Sequence, residues 1–192
     1  MAVPYEQARR AVAERLTSGA FEHSERVAAS ALSLAALYGV DEQEAALAGL
    51  LHDWHRETPH DVLVARARDL GIEVTDVDIA VPYLLHGPVA EADLAERFPG
   101  LAVSVLRAVG SHTYGAPELS ALGMVLFLAD VIEPSRRQEG VDGLRDKAGL
   151  LPLEALFAEA YAHSLHHLIE RRKRIHPMTL HTWNRIVAGW PR

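Results

Sequence analysis

Apolar residues recur at helical spacing in one segment after another, with short gaps, and no stretch alternates with the two-residue period of a strand. That pattern restricts the chain to packed helices. It predicts helices over residues 5–18, 21–38 and 42–53, and a fourth opening at Thr58-Pro59 and ending near Gly71. Others follow at 76–85, 90–97, 101–113, 118–132, 152–174 and 179–189. Gly39 suits a left-handed C-terminal cap, Asp41 with Glu44 a capping-box-like start, and Pro59 a first helical position. The stretch 133–150 reads as the longest irregular or weakly helical piece. No Gly/Ser or Pro-rich linker divides the 192 residues, so the expectation is one all-α helical bundle spanning 1–192.

Composition removes several classes of function. The net charge of −7 argues against nucleic acid or an anionic membrane as partner, while leaving room for a small anionic substrate. The run Arg171-Arg172-Lys173-Arg174 is read as cations in a last helical turn, which the helix dipole explains. No apolar run approaches the roughly 18–20 residues of a membrane span. The amphipathic N-terminus reads as a first helix and not a signal peptide. Cysteine is absent, which excludes thiolate metal sites and cysteine nucleophiles and fits a cytoplasmic location.

Histidine is abundant, with 11 copies, and several fall where apolar residues belong. His23 shares a stripe with Val27, Ala31, Leu34 and Tyr38. His52 follows Leu47, Ala48 and Leu51 in "AGLLHDWHRE". His112 lies on the line of Val105 and Ala108, Asp130 on that of Leu122 and Leu126, and His86 closes "VPYLLH". One such histidine is ordinarily a hydrogen-bonded core residue. Five such groups without a shared purpose would cost on the order of several kcal/mol, and convergence on metal removes that cost.

The donors, imidazole and carboxylate without thiolate, suit iron or manganese, with zinc also compatible. His23, His52, Asp53, His86, His112 and Asp130 are too many for one tetrahedral ion and about enough for two sharing a carboxylate. Two ions with a bridging hydroxide make a natural centre for phosphate-ester hydrolysis.

The order of these residues resembles the HD-domain metal-dependent phosphohydrolases, in their di-metal branch. More specifically, "EHSERVAASALSLAALYGVD", "AALAGLLHD", "YLLHGPVA", "VGSHTYG", "LFLADVIEPSRR" and "HPMTLHTWNRI" are similar to the YqeK-type bacterial symmetrical bis(5'-nucleosyl)-tetraphosphatases, over residues 20–187. The resemblance implies a di-iron enzyme that cleaves diadenosine tetraphosphate at its centre into two ADP. It assigns His23, His52, Asp53 and Asp130 to one ion and His86 and His112 to the other, with Asp53 as bridge.

Where the family often has lysine, this chain has Arg56, which keeps the charge but changes the donor geometry. Arg56, Arg136 and Arg26 are candidates for clamping the polyphosphate, and Arg56 shares the catalytic assignment with Asp53. Thr113 and Tyr114 either line the pocket or end their helix. His55 and His60 are read as surface residues, Glu133 as a helix-end residue near the metals, and His163, His166 and His167 as partly exposed. Other nucleotides or phosphate esters as substrate, or a metal-binding nucleotide sensor, are the competing readings. Apolar faces such as 101–109 would suit a homodimer as well as a core.

Overall fold

A computed structural model describes residues 3–189; positions 1, 2 and 190–192 of the expected domain lie outside the described residues. Among the described residues there are eleven α-helices and no strand, so the all-α class read from periodicity holds. Helix α1 covers Tyr5–Arg15, α2 Ser18–Tyr38 and α3 Glu42–Leu51. Helix α4 covers His60–Asp69, α5 Asp76–Ala80, α6 His86–Arg97 and α7 Val103–Ser111. Helix α8 covers Ala121–Ile132, α9 Val141–Lys147, α10 Leu153–Glu170 and α11 Pro177–Ala188.

Helix α8 is apolar nearly all round and buries eight of its residues, which places it at the centre of a bundle. It packs against α2, α3, α7 and α10. Helices α2 and α3 approach so closely that a Cβ on Gly49 would stand 2.7 Å from Cα of Ala28. One continuous core joins these helices, and a small satellite of Leu63, Ala67, Leu85 and Val89 holds α4 against α6. No helix among the described residues is long and apolar enough to cross a membrane.

Caps explain some boundaries and correct others. Gly39 is left-handed as expected, and the Asp41 carboxylate accepts from the backbone N–H of Glu44. Thr58 does not cap α4: its hydroxyl pairs with His55, and Pro59 stands before the helix instead of inside it. The segment expected as one helix over 76–85 is split at Val81-Pro82 into α5 and a 3₁₀ turn over Pro82–Leu85. Proline supplies no donor and keeps the residue before it out of the helical region.

Helix α3 stops at Leu51, two residues short of the expected end, and α6 begins at His86, four residues early. Helix α10 stops at Glu170, so the exposed run Arg171–Arg174 lies beyond the last turn and not in it. The stretch 133–150 contains the short helix α9.

Candidate metal centre

The ends of helices, more than their middles, bring the predicted residues together. His23 projects from the first turns of α2, His52 caps α3, and Asp53 follows in the turn after it. His86 opens α6, His112 caps α7, and Asp130 sits in the last turn of α8. A helix end lets adjacent side chains such as His52 and Asp53 reach the same point, which 100° per residue inside a helix would prevent.

Three of the histidines are held by one device. Nδ1 of His52 donates to the carbonyl of Gly49 at 2.8 Å, that of His86 to Tyr83 at 2.7 Å, and that of His112 to Val109 at 2.6 Å. A carbonyl only accepts, so each Nδ1 carries a proton, and each Nε2 faces the centre with a lone pair whenever its ring is neutral. His52, His86 and His112 are all buried. Nε2 of His52 is buried with no hydrogen-bond partner. Nε2 of His86 faces Nε2 of His112 at 2.9 Å. Orphaned and opposed lone pairs are what a cation between them would satisfy.

Asp53 divides the imidazoles into two pairs. Its Oδ2 lies 3.3 Å from Nε2 of His52 and 3.7 Å from Nε2 of His23. Its Oδ1 lies 3.2 Å from Nε2 of His86 and 4.0 Å from Nε2 of His112. Asp130 joins the first pair, its Oδ1 being 3.1 Å from Nε2 of His23. Ligand atoms of His23, His52 and Asp130 lie within 4.8 Å of one another, as do those of His52, Asp53 and His112.

The electrostatics follow from this crowding. Burial works against charge on His52, yet the Asp53 carboxylate beside it raises the imidazole to about 9. Burial, reinforced by the neighbouring His86 and His52, lowers His112 to about 3. Burial likewise lowers His86. Asp53 and Asp130 are held below the usual carboxylate range against their burial, Asp53 mainly by His52 and Asp130 mainly by His23.

Of the three predicted arginines, Arg56 and Arg136 stand beside carboxylates of the cluster and Arg26 beside Glu133. Arg56 stacks on Tyr83 at 4.5 Å and lies 4.0 Å from Asp53. Arg136 donates to the carboxylate and the carbonyl of Asp130. Arg26 donates to Glu133 at 3.0 Å. Glu133, buried at the C-cap of α8, also accepts from Ser135 and lies 3.4 Å from Nδ1 of His23, the helix-end place expected of it. Thr113 lines the cleft beside His112 and donates its hydroxyl to the carbonyl of Leu84. Tyr114 stacks on His176 at 4.2 Å.

Two residues differ from expectation or were missed. His55 is not a surface residue: it is buried, its Nε2 donates to Asp93 at 2.8 Å, and Nδ1 accepts from Arg15 at 2.9 Å. After α3 stops at Leu51 the chain coils back, and His55 is turned under it toward α6. Asp93, further tied to Arg66, therefore anchors the segment that carries His52, Asp53 and Arg56. No sequence signal marks Asp93; a buried His55 alone would have asked for such a partner. His60 is exposed, as expected, and His163, His166 and His167 are partly to fully exposed.

The model of the HD domain family matches residues 20–135. The chain belongs to the HD domain family. Membership implies divalent-metal binding, and the His/Asp cluster offers residues that could hold an ion. The chain is 31% identical to the symmetrical bis(5'-nucleosyl)-tetraphosphatase of Halalkalibacterium halodurans, over 92% of this chain and 93% of that one. It is 30% identical to the protein of the same description from Bacillus subtilis, over 96% and 98%. A solved HD superfamily hydrolase from Clostridium acetobutylicum, described as involved in NAD metabolism, superposes with a TM-score of 0.89 at 29% identity. That match covers 99% of this chain and 100% of the other.

Proposed function

We propose that this protein hydrolyses diadenosine tetraphosphate symmetrically, adding water across the central phosphoanhydride bond to give two ADP. The observation that carries the reading is the division of four imidazoles between the two oxygens of Asp53, in a chain alike over nearly its whole length to relatives of that description. His23, His52, Asp53 and Asp130 would hold one ion, and His86 and His112 the other, with Asp53 shared. Iron suits this donor set, and manganese or a mixed pair fits the same donors. When bound, two such ions supply Lewis-acid stabilisation of the phosphoryl oxygens and an acidified water.

The chain's own residues do the rest. The Nδ1 contacts to Gly49, Tyr83 and Val109 fix the ring orientation, so that no rearrangement is needed when charge develops. Arg56 stands beside Asp53 and Arg136 beside Asp130, each with a guanidinium group able to grip phosphate in a bidentate way. Arg26, turned toward Glu133, is the third candidate. The assignment extends to one domain over 1–192 acting in the cytoplasm on a dinucleoside polyphosphate, alone or as a homodimer.

Product analysis tests it. Metal-loaded protein should give ADP as the sole nucleotide from diadenosine tetraphosphate, and turn over AMP, dATP and cyclic dinucleotides far more slowly. A mixture of ATP and AMP would exclude the central cut. Tight binding without ADP release would make the protein a sensor.

A further inference from the structure

A cleft of about 270 Å³ opens from His112 and Asp130, one ligand candidate from each half of the cluster, and runs to His163 and His167 on α10. We propose that this cleft seats one nucleoside half of the dinucleotide, with His163 and His167 as the residues that select it. The proposal rests on the reading of the centre as a dinucleoside polyphosphate hydrolase.

Position comes first. A substrate whose central phosphates lie over Asp53 must send its nucleosides outward, and this cleft is an exit that begins at the cluster itself. Charge then sorts its length. Arg136 and Asp130 are the charged residues of the lining, and both stand at the inner end, where the phosphates would be. The rest of the lining combines apolar side chains, among them Phe127, Val131 and Leu168, with the polar edges of Gln138 and the two histidines. A mainly apolar lining beside a few hydrogen-bonding groups fits a heterocyclic base better than another phosphate.

The two histidines are four residues apart on one helix, so they share a face. His163 is also braced. Its Cε1 and Nδ1 would lie 3.2 and 3.3 Å from a Cβ on Gly140, a residue with φ of 88° at the start of α9. The ring therefore lies close against the backbone at 140, where a Cβ would push it by a few tenths of an ångström.

The experiment compares parent, His163→Ala and His167→Ala, all metal-loaded. It measures KM for diadenosine tetraphosphate, Ki for ADP, Ki for inorganic tripolyphosphate, and metal per chain. Expected is a rise of about tenfold in KM and in Ki for ADP in at least one variant, the loss of one stacking or hydrogen-bonding partner. Metal content and Ki for tripolyphosphate should stay at the parent values. Unchanged KM and Ki for ADP in both variants would overturn the proposal. A parallel loss of ADP and tripolyphosphate binding would overturn it as well, since the histidines would then be phosphate ligands. If the parent released no ADP at all, the underlying reading would fall instead, and calorimetric ADP binding to the same proteins would still test the seat.

Discussion

Nε2 of His86 and Nε2 of His112 lie 2.9 Å apart, and neither has a proton to offer the other, because both rings have given Nδ1–H to a carbonyl three residues back. Two lone pairs meeting in a buried space are a cost to the metal-free fold that a cation repays. His112→Ala should therefore leave the metal-free melting temperature near that of the parent while metal content falls by about one ion per chain. Thermal melts with and without a chelator, beside elemental analysis, check both halves.

Gly49 serves the centre twice, by letting α3 close on α2 and by lending its carbonyl to His52. A Cβ there would meet backbone, not a flexible side chain. Gly49→Ala should destabilise by about 1–3 kcal/mol through overpacking. For a chain of this size that is a fall of several degrees in Tm. Denaturant unfolding measures it, and metal affinity should weaken in the same variant as His52 shifts.

Asp93→Ala removes the partner of buried His55 and of Arg66. The expected loss is about 1–3 kcal/mol for stranded polar groups. Because the anchored segment carries His52 and Asp53, metal affinity should also fall, by roughly 10- to 100-fold, the usual scale for losing a group that orients ligands. Asp93→Asn, which keeps an acceptor for His55, should recover part of both.

The metal-free protein should be most stable near pH 6.5, and two opposed histidines set this. His52 is raised from 6.5 to about 9, so the stability it contributes is complete below 6.5 and is lost as pH rises toward 9. His112 is lowered from 6.5 to about 3, so its burial as a neutral ring is free of penalty above 6.5 and stability declines as pH falls toward 3. Each limb has a slope of up to ~1.4 kcal/mol per pH unit for one proton. Chelator-treated protein melted across pH 4–9 checks the two slopes. At neutral pH metal should displace the His52 proton, releasing acid that an unbuffered titration detects.

The amphipathic stripes made His23, His52, His112 and Asp130 legible, because a polar residue on a buried face breaks a periodic pattern. His86 was visible only as the end of an apolar run, and it proved to open a helix. The carbonyls that orient the rings left no trace, since a backbone acceptor has no sequence signature. His55 was misplaced because it follows a helix end, where periodicity says nothing of direction. The break at Val81-Pro82 was written in the proline and overridden by the apolar spacing around it. The seat at His163 and His167 depends on α9 and α10 meeting across the irregular stretch between α8 and α9, a tertiary fact that neither segment announces.

The centre is proposed to split a dinucleoside tetraphosphate with Asp53 joining two metal ions. One preparation of the protein and one of Asp53→Ala, each assayed for metal per chain and for nucleotide products of diadenosine tetraphosphate, test it most directly. Expected are about two ions and ADP alone in the parent, as a two-metal hydrolase requires, with ADP release and at least one ion lost in the variant. Parent protein without metal, or a variant that keeps both ions and its activity, would contradict it.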